Sequence, residues 1–202
     1  MARQNRVTPE GEIVADPARG LFMGNRGCLH DDAGRIGTAR WRHPHWVTCV
    51  LAFKGRRRPI MAPRRYTELF FLDEAVALAA GHRPCAECRR ADYLRYRAAF
   101  ASAPLSAPEM DRILHPARVT RGRAQVTYSA LVDDLPSGTF LRLPDGAAPL
   151  LLTDNGLLPY TPSGYGAALP RPSQATVTVL TPAPTVLALR HGYRPVLHPT
   201  AS

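Results

Sequence analysis

Cys85 and Cys88, in Cys85-Ala-Glu-Cys88, are two thiols at the spacing that supplies half of a tetrahedral metal site. The same spacing serves dithiol redox chemistry, or simply two small buried side chains, so the residues around it must decide. Two more cysteines lie upstream, Cys28 and Cys49. Four thiols could close an all-cysteine site, or Cys28 and His30 could supply a Cys-x-His pair while Cys49 packs as a small apolar residue. Cys28 and His30 sit between turn residues, Gly24-Asn-Arg-Gly27 before them and Asp31-Asp-Ala-Gly34 after them, where a loop has freedom to wrap an ion. Cys49 falls in the strand-like run Trp46–Phe53. The expected ligands are therefore Cys85, Cys88 and Cys28, with the fourth place contested between His30 and Cys49, and His45 behind them. The expected ion is Zn2+, structural if all four positions are filled by protein.

The elements that would position these thiols are two helices and a strand. Asp73-Glu-Ala-Val-Ala-Leu-Ala-Ala80 is a run of strong helix formers with carboxylates in its first turn, and Gly81 supplies its stop. Pro84 suits the start of a second helix, Cys85 to Ala101, whose positive end would favour the thiolate. A helix and not a strand before the pair weighs against a redox role, which is expected near a βαβ unit. After the strand at Trp46–Phe53, Lys54-Gly-Arg-Arg-Arg-Pro59 reads as a turn leading to Pro59–Met61, which would place guanidinium groups at a hairpin tip.

Charge points to a polyanionic partner. The chain has 202 residues and a net charge of +10. Lys54 is its one lysine, as expected of a GC-rich genome, but that bias does not explain where the charge lies. Residues 1–100 carry 18 basic and 10 acidic side chains, against 8 and 6 in the remainder, and no Asp or Glu occurs from Ala33 to Thr67. Candidate nucleic-acid contacts in that acid-free window are Arg40, Arg42, Lys54, Arg56, Arg57, Arg58, Arg64 and Arg65, interleaved with Trp41, Trp46 and Tyr66. On the second helix Arg89, Tyr93 and Arg97 recur every four residues and could form a stripe along a phosphate backbone.

Beyond Ala101-Ser-Ala-Pro-Leu-Ser-Ala-Pro108 the pattern changes. A helical turn at Glu109–Leu114 precedes strand-like runs at Ala124–Val132, Thr139–Leu143, Leu150–Thr153 and Thr176–Leu180. Residues 159–166 read as a long loop, and Thr181 as the cap of a last helix ending at Gly192. The expected fold is α+β: a zinc-binding domain over 1–103 with a β-hairpin and two helices, then a β-rich, barrel-like domain over 109–202. No apolar run is long enough to span a bilayer and no secretory leader is evident, so a cytoplasmic protein without a membrane partner is expected. Phosphate-binding glycine loops and common hydrolase motifs are absent from the sequence. Asp133-Asp134 is a poor two-metal nuclease pair, because neighbours on a strand face opposite ways.

The stretch Phe70-Phe-Leu-Asp-Glu-Ala-Val-Ala-Leu-Ala-Ala-Gly-His-Arg-Pro-Cys-Ala-Glu-Cys88 resembles the second half of the Ada-type zinc-binding domain. That resemblance implies zinc held by cysteines, with Cys85 and Cys88 among them, and DNA ahead of RNA as the partner. It also implies a possible repair role in which a thiolate accepts a methyl group, although the family's first Cys-x-x-x-Cys pair has no counterpart here. The chain as a whole resembles a bacterial protein family sharing Met23-Gly-Asn-Arg-Gly-Cys28 and Tyr66-Thr-Glu-Leu-Phe-Phe71, a likeness that implies no activity. Three classes of function follow: a zinc-stabilised nucleic-acid-binding protein, an enzyme (methyl-accepting or nuclease), or a thiol redox module.

Overall fold

A computed structural model describes residues 2–56, 59–144, 146 and 148–202. Strands β1 (Gln4–Val7), β2 (Ile13–Ala15), β3 (Phe22–Asn25), β4 (Val47–Val50), β5 (Leu69–Phe71) and β6 (Arg83–Pro84) form one six-stranded sheet in the order β2-β1-β5-β3-β4-β6. A second sheet contains β7 (Tyr128–Leu131), β8 (Phe140–Arg142), β9 (Leu150–Thr153), β10 (Gly156–Thr161), β11 (Gly164–Tyr165) and β12 (Thr176–Val179), in the order β11-β10-β9-β8-β12-β7. Helices α1 (Glu74–Ala79), α2 (Arg90–Phe100), α3 (Ala107–Arg118) and α4 (Ala183–Arg190) complete an α+β fold. Barrel-like closure of the second sheet is not seen: its end strands β11 and β7 are not paired with each other.

Helix α1 explains how the two sheets are joined. Its apolar residues surround the whole helix, and all six positions are buried, as such an unstriped helix requires. Asp73 caps it, accepting a hydrogen bond from the Val76 amide at 2.9 Å. One hydrophobic cluster contains Leu69, Phe71 and the alanines of α1 together with Phe140, Leu151 and Leu158 of the second sheet and Leu180, which follows β12. The carboxylates at the head of α1 are buried and receive donors from far along the chain. Asp73 accepts from the Tyr165 hydroxyl (2.8 Å) and the His198 amide (3.0 Å), and Glu74 from the Val196 amide (2.9 Å) and the Tyr193 hydroxyl.

Several local expectations change. Pro84 lies in β6, which pairs parallel with β4, and Cys85–Cys88 form a turn, so α2 starts only at Arg90. A short strand, not a helix, therefore directly precedes the cysteine pair. Among the described residues, 59–61 do not pair with β4 as the expected basic hairpin requires: β4 pairs with β3 and β6, and residues 60–61 form a turn. A hairpin does occur at β1–β2. Residues 159–166, expected as a loop, supply much of β10 and β11. Helix α3 is twelve residues long, with a capping box between Ser106 and Glu109. Helix α4 is capped one residue later than expected, at Pro182.

Candidate metal centre

Strand β4 and the turn after β6 converge because they are neighbours in one sheet. The Cys85 amide donates to the Thr48 carbonyl at 2.9 Å, drawing the start of the turn onto the strand that carries Cys49. Thr48 is buried beneath the sheet, so its neighbour Cys49 projects from the other face. The sulfur atoms of Cys49, Cys85 and Cys88 lie within 4.8 Å of one another, and all three residues are half-buried. Three thiolates bound to one ion at about 2.3 Å would sit roughly 3.8 Å apart. The cluster could thus hold a metal ion after a small contraction.

Without a metal the three thiols do not ionise alike. Hydrogen bonding from Cys49, with further donors at Cys88 and the backbone of residues 87 and 88, pulls Cys85 down to about 5, against the opposing effect of burial. Its partner Cys49 is pushed up, first by that shared proton and then by burial. Cys88 is raised by burial and by the negative charge on Cys85. The negative charge of the metal-free cluster therefore rests on Cys85, where the Glu87 amide also donates at 3.4 Å. A divalent cation would displace the two remaining protons.

Cys28 and His30 are not brought to this cluster. The Cys28 thiol points to the His30 carbonyl at 3.6 Å. His30 is buried with both ring nitrogens engaged, Nδ1 with the Thr67 hydroxyl at 2.6 Å and Nε2 with the Ala62 carbonyl at 3.2 Å. It pins a loop and has no lone pair to offer. His45 is committed to Asp111 at 2.8 Å. Among the described residues, three protein ligands converge and the fourth position is open.

The basic residues divide in the same way. Lys54 and Arg56 are exposed beside the cluster, stacked over Phe53 at 5.2 and 5.3 Å, and Arg56 pairs with Glu87 at 2.7 Å. Arg56 is held above its ordinary value first by Glu87, and it also feels the negative charge on Cys85. Arg42, Arg64 and Arg65 are exposed and Arg40 half-buried, while Arg57 and Arg58 lie outside the described residues. The helical stripe is overturned. Arg89 is buried, ion-paired to Glu74 at 2.8 Å and Asp92 at 2.7 Å and stacked over Phe22, and Tyr93 is buried in the second core cluster. Arg97, half-buried, is left alone of the three. The face carrying Arg89 and Tyr93 turns inward because the buried Glu74 needs a cation.

A second polar assembly escaped sequence reasoning. Arg83, just before the cysteine turn, makes a two-pronged ion pair with Asp111 of α3 at 2.8 and 2.7 Å. Arg26 and Arg118 lie on the indole of Trp46, their guanidinium carbons 4.1 and 4.0 Å from the ring centre. The sequence signal was present in Arg26, within the turn-rich Gly24–Gly27 run, and in His82-Arg83 between two buried segments.

No known family model, curated protein or solved structure matches this chain. Among the described residues, no helix is long and apolar enough to cross a membrane.

Proposed function

We propose that this chain is a zinc-binding protein that engages nucleic acid, with the ion held by Cys49, Cys85 and Cys88. The observation that carries the reading is the convergence of the β4 thiol with the two thiols of the turn after β6, framed by the exposed cations Lys54 and Arg56. Soft sulfur donors gathered within 4.8 Å of one another suit zinc. An Ada-type relationship would likewise make Cys85 and Cys88 ligands, and assigns no place to Cys49. The test is the mass of the native protein before and after acid denaturation. One zinc should be lost from the wild type and from Cys28→Ser, and none should be held by Cys49→Ser. Retention of the full metal content by Cys49→Ser would overturn the ligand set. Fluorescence anisotropy with a short duplex at two salt concentrations tests the partner. Replacing Lys54 and Arg56 by alanine should reduce the slope of log affinity against log salt by about 2. An unchanged slope would remove this face from the interface.

The open fourth position favours one second reading, a reactive zinc thiolate. A thiolate sulfur would attack the methyl carbon of a methylated phosphate. The S–C bond forms as the C–O bond breaks, and the phosphodiester anion leaves. Incubation with methylated DNA should then add about 14 Da to one cysteine of the cluster. An unmodified protein after prolonged incubation would reject this chemistry.

A further inference from the structure

On the other side of β4 from the cysteines, two arginines are buried with no carboxylate in contact among the described residues, Asp111 attracting Arg118 and Glu12 attracting Arg26 only from a distance. Arg26 and Arg118 are each 2% exposed, and among the described residues neither forms an ion pair. Burying a cation unpaired is costly. Part of the cost is offset by carbonyl oxygens. Arg26 donates to those of Gly11 (3.1 Å) and Ala80 (3.4 Å), and Arg118 to those of Gly81 (2.7 Å) and Pro44 (2.6 Å). The Trp46 ring, its centre 4.1 and 4.0 Å from the two guanidinium carbons, contributes its π-electron density. These partners do not complete the set, because Arg118 Nε is buried and makes no hydrogen bond. Burial first, and for Arg26 the repulsion of Arg118 second, push both guanidinium groups down to about 9.

Both side chains line an open cleft whose rim carries Arg40, Arg123, Glu10 and Glu12. Glu10 is already ion-paired with Arg142, and Glu12 attracts Arg26, so among the described residues four arginines face one carboxylate that has no ion pair. The rim arginines are held in place by backbone carbonyls, Arg123 by Thr38 at 2.8 Å and Arg40 by Gly37 at 3.4 Å. Gln125 fixes the wall by donating to the carbonyls of Pro9, Ala79 and Leu180. The inner space is ≈ 20 Å³, room for about one oxygen atom. We infer that this cleft binds a terminal phosphate group, one oxygen directed to the Arg26 and Arg118 guanidinium groups at its inner end and the others met by Arg40 and Arg123. Forked guanidinium donors converging from several sides match a tetrahedral dianion better than they match chloride.

Inorganic phosphate is the first probe, compared with chloride at equal ionic strength. At ten times its dissociation constant, phosphate should raise Tm by roughly 3–5 °C over chloride. The double substitution Arg40→Gln/Arg123→Gln, at half-buried and exposed positions that leave the core intact, should weaken phosphate binding at least tenfold by calorimetry. Lys54→Ala/Arg56→Ala should leave it unchanged, which separates this cleft from the proposed nucleic-acid face. Equal Tm in phosphate and chloride would overturn the inference, as would full phosphate binding by the Arg40/Arg123 double variant. A nucleoside 5′-monophosphate and a matched pair of oligonucleotides, 5′-phosphorylated and 5′-hydroxyl, then identify the source of the group. Preference for the phosphorylated oligonucleotide over both other compounds assigns a nucleic-acid end, and equal binding of nucleotide and inorganic phosphate assigns a small molecule.

Discussion

Removing the Asp111 carboxylate should cost this protein a large share of its stability. The Asp111 side chain is fully buried and that of Arg83 is 5% exposed, so Asp111→Ala strands a cation that water cannot reach. The two prongs at 2.8 and 2.7 Å are lost together. What remains to Arg83 is the Pro84 carbonyl at 3.2 Å and the Tyr93 ring at 5.8 Å. Breaking a buried pair on one side costs about 3–5 kcal/mol, against a total stability of about 5–15 kcal/mol for a natural domain. Urea unfolding measures it, with the m value unchanged. His45, which also touches Asp111 but has a side chain 53% exposed, serves as a control. His45→Ala should cost under about 1 kcal/mol. The double variant Arg83→Met/Asp111→Leu removes both charges and should recover most of the loss. A cost below about 1 kcal/mol for Asp111→Ala, or a double variant no better than the single, would refute the account of Arg83 as a trapped cation. Because β6 leads directly into the cysteine turn, metal retention by Asp111→Ala should fall as well.

Burial, followed by repulsion from Arg26 and Arg118, holds His82 well below its usual value. As pH falls below about 6.5 the unfolded chain takes up a proton that folded His82 refuses, so stability should drop by up to about 1.4 kcal/mol per pH unit. His82→Gln should flatten that limb between pH 7.5 and 5, and an identical acid limb in both proteins would contradict the assignment. Tyr165→Phe deletes the 2.8 Å hydrogen bond to the buried Asp73 carboxylate and should cost about 1.5–3 kcal/mol by urea unfolding. Gly81 has φ +85°, and a methyl group there would stand 2.5 Å from Arg118 Cδ. Gly81→Ala should therefore lower Tm and, by displacing Arg118, weaken phosphate binding in the same preparation.

What the sequence made legible was local chemistry with a fixed spacing. Cys85 and Cys88 could be paired by spacing alone, and the helices at 74–79 and 183–190 by composition and caps. Cys49 could not be raised above Cys28, because a strand pattern does not say which neighbour lies alongside. Only the parallel pairing of β4 with β6 makes Cys49 a partner of Cys85. The Arg89/Tyr93/Arg97 spacing correctly marked one face of a helix, yet a mixed aromatic and cationic face can turn either way. Its direction was decided by Glu74, fifteen residues earlier, whose burial created the demand for Arg89. Residues 159–166 resembled a loop for their prolines and glycines. In β10, Pro159 has no N–H to give, but its carbonyl accepts from Gly166 at 2.9 Å, so the sheet tolerates it.

The donors that satisfy the head of α1 arrive late in the chain: the Tyr193 hydroxyl and the Val196 and His198 amides are 119, 122 and 125 residues beyond the carboxylates they meet. During synthesis those two acidic groups must wait, hydrated, until the second sheet and the stretch after α4 have left the ribosome. Helix α1 cannot bury itself before then without stranding them. The cysteine pair follows α1 by only a few residues, so its final placement is expected to be an end-stage event of folding, with loop closure over more than a hundred residues setting the pace. A nascent chain would meanwhile display the three thiols of the cluster on an unfinished scaffold, and early capture of a metal ion would tie together the cysteine-bearing segments while the rest of the fold is still being made.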